Sequence, residues 1–285
     1  MIRAVFFDAG NTLVRMNYAA IAVELAAHGV RATPDEVQRA EWRARVRLDD
    51  EVFAPASGAA STESGSSAGR YVRLILEALG VTDDAVAEAM AEWRHAYNAP
   101  AGLFTVADPS AEPALELARA RGLTAGVISN SNGTIRATLR TLGLLPSLDF
   151  VLDSAEVGVE KPDPRIFRLA LERARVAPRE AVYVGDLYSV DVRGARAAGL
   201  DAVLLDPAGL WGARDCRSAP DVLAAVRLIL RGPGDSETRS RRAHGPVAAP
   251  KRSLSETTAV ARSSSAGSAG ATDPRGEARE LSRVA

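Results

Sequence analysis

Residues 5–14 read VFFDAGNTLV. A run of large apolar side chains stops on a carboxylate, Asp8, and Gly10 and Asn11 follow before apolar residues return at Leu13. Gly and Asn permit a sharp turn at a strand end. A strand ending on Asp either caps its own loop or carries chemistry, and the rest of the chain separates these alternatives.

The pattern of 5–14 recurs. LTAGVIS (123–129), DFVLDS (149–154), EAVYVGD (180–186) and DAVLLD (201–206) are short, near-continuous apolar runs, as is RAVFF at 3–7. Between them stand AEPALELARARG, TIRATLRTLG, PRIFRLALERAR and DVRGARAAG, each with apolar residues at helical spacing; the first stops at Gly122, a good C-terminal cap. Short apolar strands separated by helices predict an α/β fold, a Rossmann-like parallel sheet covered on both faces. Ligands of such sheets sit beyond the carboxyl ends of the strands. Asp8, Ser129 and Asp186 fall there.

Residues 14–100 read as almost wholly helical, with AAIAVELAAHG, TPDEVQRAEWRARVRLD, GRYVRLILEALG and TDDAVAEAMAEWRHAY as four helices and Thr33 and Thr82 as N-caps. The expected organisation is a core domain of 1–13 and 101–231, a helical-bundle cap domain inserted at 14–100, and a tail at 232–285. The stretch 55–69, PASGAASTESGSSAG, reads as a flexible linker inside the insert. The tail lacks aromatic residues and periodicity, and its composition predicts disorder.

A formal charge of −1 gives no argument for nucleic acid or an anionic membrane surface as a partner. The single cysteine, Cys216, excludes an internal disulfide and a cysteine-cluster metal site, and is expected to be buried and inert. The first residues enter a strand without a charged-then-apolar leader, and no apolar run approaches the roughly 20 residues that span a bilayer. The expectation is a soluble, cytoplasmic chain. Nothing in the sequence reads on oligomeric state. Trp42 and Trp93 are expected in packing or at an interface.

Asp186 ends a strand and Asp191 lies five residues later, near the next helix start, where an acid also suits the helix dipole. Three carboxylates (Asp8, Asp186, Asp191) gathered at one sheet edge repel unless a cation sits among them. Oxygen-only ligands with phosphate completing the shell suit Mg²⁺. Ser129 and Asn130 carry groups able to bond a phosphoryl oxygen or to cap the following helix. Of 35 basic residues only Lys161 and Lys251 are lysines. Arg serves every other cationic position before the tail, so Lys161 stands out as a place for a compact ammonium where a planar guanidinium would not fit.

Asp8 with Thr12, Ser129, Lys161-Pro162 and Gly185-Asp186 through Asp191 resembles, in order, the four motifs of the haloacid dehalogenase superfamily, over residues 1 to about 230. The helical insert looks like that superfamily's first class of cap. The resemblance implies a hydrolase of the phosphatase-like branch acting on a small phosphorylated metabolite. Asp8 would attack phosphorus and form an aspartyl-phosphate that water hydrolyses. Asp8, the Gly10 carbonyl and Asp186 would hold Mg²⁺, with Asp191 a further ligand or a hydrogen-bond acceptor behind it. Ser129 and Lys161 would hold the phosphoryl oxygens, and Asn130 would bind substrate.

One position departs from the pattern. Phosphatases of the superfamily carry a second Asp two residues after the nucleophile, as general acid and base; here it is Gly10. Three readings follow. A phosphohydrolase could use a good leaving group or borrow a base from the insert, with Glu24, His28 and His95 as candidates. A different C–X or P–C cleavage is opposed by the intact Asp186 and by an insert without lysine. A catalytically impaired relative could bind phosphate, metal or a partner instead.

Overall fold

The computed structural model describes residues 1–54 and 60–231. The core is a six-stranded, all-parallel sheet. Its strands are β1 (Ala4–Phe7), β4 (Thr124–Ser129), β5 (Phe150–Asp153), β6 (Ala181–Gly185), β7 (Asp201–Leu205) and β8 (Arg217–Ala219), in the order β5-β4-β1-β6-β7-β8. β1 lies between β4 and β6, with Phe7 opposite Val127 on one side and Val184 on the other. The expected α/β, Rossmann-like core is therefore present. Each expected strand occurs within a residue or so of its ends.

Both sheet faces are dry, which is why the strands are apolar without alternation. Val5 and Phe7 point into a layer built with helices α5 (Ala111–Ala120) and α10 (Val222–Arg231). Ala4 and Phe6 point the other way, onto α8 (Pro164–Ala174) and α9 (Arg193–Ala197). Two shorter helices, α6 (Ile135–Thr141) and α7 (Ser154–Val157), flank β5. Gly126 permits this packing, because a Cβ there would run into the Phe150 ring.

Between β1 and β4 stands an antiparallel pair, β2 (Val14–Met16) and β3 (Phe104–Ala107), enclosing four helices. These are α1 (Tyr18–Ala27), α2 (Pro34–Leu48), α3 (Gly65–Ala78) and α4 (Asp84–Ala96). Their shared core includes Ile21, Leu25, Val37, Leu74 and Met90, and it takes in Val190 from the segment after β6. Thr33 caps α2 in a full capping box with Glu36, as expected.

Several expectations change. Residues 14–100 are almost wholly helical as expected, but a short strand, β2, opens them. Asp83, not Thr82, caps α4. The linker expected at 55–69 ends early: Ser64 caps α3, which starts at Gly65, and residues 55–59 lie outside the described residues. β8 was not expected. The tail at 232–285 also lies outside the described residues. Cys216 is half-buried rather than buried, and burial raises its thiol pKa. Trp93 packs on Tyr97, and Trp42 is half-buried on α2. Among the described residues no helix is long and apolar enough to cross a membrane.

Candidate active site

The carboxyl ends of β1, β4 and β6 bring Asp8, Ser129 and Asp186 to one edge of the sheet. Asp8, the first residue after β1, is 6% exposed, and its amide donates to Val184 O at 2.8 Å, tying the strand tip to β6. The next turn is tight. Asn11 adopts φ 52°, a left-handed conformation that Asn tolerates better than most residues.

Lys161 precedes α8 and reaches back under the sheet edge. Its Nζ donates to Asp8 Oδ1 at 2.6 Å, Asp191 Oδ1 at 2.8 Å and Tyr183 Oη at 3.0 Å. Three protons meet three acceptors. Burial alone would lower the ammonium's pKa, but Asp191 and Asp8 outweigh it and raise it, so Lys161 is charged. Burial pushes Asp8 up to about 6, against the pull of Lys161.

Asp191 lies in a π-helical turn, Tyr188–Val192, whose geometry turns the carboxyl back toward β6. Its Oδ2 accepts from the Asp186 and Leu187 amides at 3.0 and 2.9 Å, and its Oδ1 from Lys161 and, at 3.1 Å, Tyr183. Gly185 is required for this, because a Cβ there would overlap the Asp191 carboxyl group. Asp186, 4% exposed, is raised well above the ordinary carboxylate range, mainly by burial and against the opposing effect of Arg45.

Ser129 is buried at the tip of β4. The Asn130 side chain is engaged with the Lys161 main chain, accepting from its N at 2.7 Å and donating to its O at 2.9 Å; it also donates to Thr62 Oγ1 at 3.0 Å. Asn130 thus clamps the loop that carries Lys161. Of the acid/base candidates in the insert, His28 and Glu24 pair with each other at 3.1 Å near the surface, and His95 is exposed.

A second charged group comes from the insert and was not anticipated. Arg45 on α2 is 4% exposed, with its Nε 3.3 Å from Asp186 Oδ2. Glu41, one turn earlier, takes two hydrogen bonds from it, at 2.8 and 2.7 Å, and accepts from the hydroxyls of Tyr18 and Tyr71. Tyr71 in turn accepts from Asn11 Nδ2 at 3.0 Å. The signal was in the helix: the buried stripe of α2 runs Val37, Ala40, Glu41, Ala44, Arg45, Leu48, with two charges where apolar residues belong.

Asp8, Asp186 and Asp191 offer carboxylate oxygens all within 4.8 Å of one another. With all groups ionised, these three and Glu41 against Lys161 and Arg45 leave two negative charges unmatched. Thr12 is fully buried, and its Oγ1 has no partner among the described residues. Oxygen-only donors, an unmatched charge of two on full ionisation and an orphaned hydroxyl in the turn after Asp8 fit a divalent cation with an oxyanion.

A family model for haloacid dehalogenase-like hydrolases matches residues 2–199. The chain belongs to this family. A human haloacid dehalogenase-like hydrolase domain-containing protein 3 is 33% identical over 210 residues, covering 72% of this chain and 82% of that one. A glyceraldehyde 3-phosphate phosphatase of Methanopyrus kandleri is 31% identical over 207 residues, covering 71% and 83%. Among solved structures, the HAD-hydrolase YfnB from Bacillus subtilis aligns with a TM-score of 0.54 at 17% identity, covering 81% of this chain and 99% of that one, which shows the fold alone. Haloacid dehalogenases share the fold at a similar level, so the fold does not choose between the two chemistries.

Proposed function

We propose that this family member is a Mg²⁺-dependent phosphatase acting on a small phosphorylated metabolite, with Asp8 as nucleophile. The observation that carries the reading is the pairing of a buried, Lys161-bound Asp8 with Asp186 in an oxygen-only cluster whose charge, once ionised, exceeds what Lys161 and Arg45 can match. A carboxylate needing only to displace halide has no use for that excess. The phosphatases among the relatives, including that of Methanopyrus kandleri, support the same direction.

Asp8, the Gly10 carbonyl and Asp186 would hold the ion, which when bound offsets the charge of the phosphoryl oxygens. Asp191, whose oxygens already accept four hydrogen bonds, acts by fixing Lys161 and the Asp186 backbone. Lys161 and Ser129 would hold the phosphoryl oxygens, and Asn130 holds the Lys161 main chain in place. Asp8 attacks phosphorus as the ester oxygen leaves, and water then cleaves the aspartyl-phosphate. Residues 14–100 serve as a cap over a core of 1–13 and 101–231, and Arg45 joins the two by reaching Asp186.

One observation favours a second reading, a phosphate- or metal-binding relative without turnover. A Cβ on Gly10 would lie 3.3 Å from the Phe104 ring, so apolar surface fills the place of the missing acid. Hydrolysis of an activated aryl phosphate with and without Mg²⁺, in the unaltered chain and in Asp8→Asn, separates the two. The phosphatase reading expects turnover that needs both the ion and Asp8; binding of Mg²⁺ and inorganic phosphate without turnover supports the second reading.

A further inference from the structure

Helix α2 runs directly into a π-helical turn, Asp49–Phe53, and this join meets the segment that follows β6. Three successive residues of that segment divide their contacts between the insert and the site. Ser189 donates from its N and Oγ to the two carboxyl oxygens of Asp49, at 2.9 and 2.8 Å. Val190 is 3% exposed and belongs to the apolar core of the insert, together with Leu48 and Phe53. Asp191 faces the other way. It accepts from Lys161 Nζ at 2.8 Å and from the Asp186 and Leu187 amides at 3.0 and 2.9 Å.

Asp49 is fully buried, and both of its oxygens serve a single residue. Burying a carboxylate is costly, and an apolar side chain would serve packing as well. What the carboxylate adds is a fixed place for Ser189, whose amide and hydroxyl are held together. The turn that carries Asp191 cannot rotate without breaking both bonds. Arg45, one helical turn before Asp49, reaches the Asp186 side chain at 3.3 Å. One stretch of the insert thus holds Asp186 by its side chain directly and by its backbone through Ser189 and Asp191.

We propose that Asp49 is a positioning residue through which the insert sets the divalent-cation affinity of the Asp8–Asp186 site. It acts by fixing the π-helical turn that aims Asp191 at Lys161 and at the Asp186 amide. The inference rests on the divalent-metal reading of the site and deepens it. The metal ligands lie in the core, yet a residue of the insert that touches none of them governs their placement.

Calorimetric titration of Mg²⁺ into the full chain, in the unaltered protein, Asp49→Asn and Asp49→Ala, tests the assignment without relying on turnover. Asn keeps both bonds, since its Oδ1 accepts from the Ser189 amide and its Nδ2 donates to Ser189 Oγ. The Kd for Mg²⁺ is expected to rise ~10–100-fold in Asp49→Ala and to stay within about threefold of the unaltered value in Asp49→Asn. Should Asp49→Ala not fold, Ser189→Ala removes one of the two bonds from the core side, with an expected rise of about threefold to tenfold. A folded Asp49→Ala or Ser189→Ala chain that binds Mg²⁺ as tightly as the unaltered one would overturn the assignment. So would an Asp49→Asn chain as weak as Asp49→Ala, because the effect would then lie in the charge and not in the bonds. The expected order of affinities without hydrolysis of an aryl phosphate would sink the phosphatase reading and uphold the role of Asp49. Absence of Mg²⁺ binding in the unaltered chain would sink both.

Discussion

Lys161 Nζ gives its three protons to three residues within 3.0 Å, and that geometry explains a lysine in a chain that otherwise prefers arginine. A guanidinium spreads its donors over a plane and would push Asp8 away from Asp191. Lys161→Arg is therefore expected to lower kcat/KM by ~10²–10³, about as much as Lys161→Ala, read on an activated aryl phosphate; a fully active Arg variant would contradict the fit. Gly10 invites the opposite experiment. The superfamily pattern suggests that Gly10→Asp should restore an acid, but the Phe104 ring stands 3.3 Å from the added Cβ. Gly10→Asp alone is expected to destabilise the fold by ~1–3 kcal/mol through overpacking, without gain on alkyl esters. With Phe104→Ala as well, alkyl turnover should rise above that of the single variant; a gain from the single variant would show that the ring yields. Asp8, Ser129, Asp186 and Asp191 were legible because each ends or follows a recognisable strand, and Lys161 because it is the one lysine before the tail. Arg45 and Tyr71 were not, because their sequence distances from Asp8 say nothing of proximity until the insert folds back.

Helix α2 is the element that ties the insert to the site. Its Glu41–Arg45 pair is buried, and a charge stranded by loss of its partner costs ~3–5 kcal/mol, whereas replacing both by apolar residues is often neutral. Arg45→Met should thus destabilise by several kcal/mol in denaturant unfolding, and Glu41→Met with Arg45→Met should recover most of the loss. A double variant as unstable as the single would mean that Glu41 is not the main partner. Just beyond α2, Asp49 accepts from Ser189 N and Oγ at 2.9 and 2.8 Å, joining two π-helical turns, one of which carries Asp191. Neither turn could be read locally. The same holds for β2, β3 and β8, each three or four residues long and specified by their partners rather than by period. The longer strands and most of the helices carried enough apolar periodicity to be placed from the sequence, and the capping box at Thr33 fixed the start of α2.

At the scale of the whole molecule, the fold carries a carboxylate excess that a proton or a bound cation relieves. Burial raises Asp8 and Asp49 to about 6 from 3.8. Between those pH values the folded chain binds more protons than the unfolded one, so metal-free stability falls as pH rises through the window, and Asp186, raised further by burial, carries the fall beyond it. The metal-free Tm is expected to be lower at pH 7 than at pH 5, with Mg²⁺ closing the gap; in Asp8→Asn the decline and the Mg²⁺ effect should both shrink. A metal-free Tm that climbs across this range would contradict the assigned burial of charge. The central claim, that Asp8 is a nucleophile in a divalent-metal site, is tested most directly by hydrolysis of an activated aryl phosphate with and without Mg²⁺, in the unaltered chain and in Asp8→Asn. Turnover that requires both the ion and Asp8 is the predicted result. Turnover that survives Asp8→Asn, or its absence in the unaltered chain with Mg²⁺ present, would contradict it.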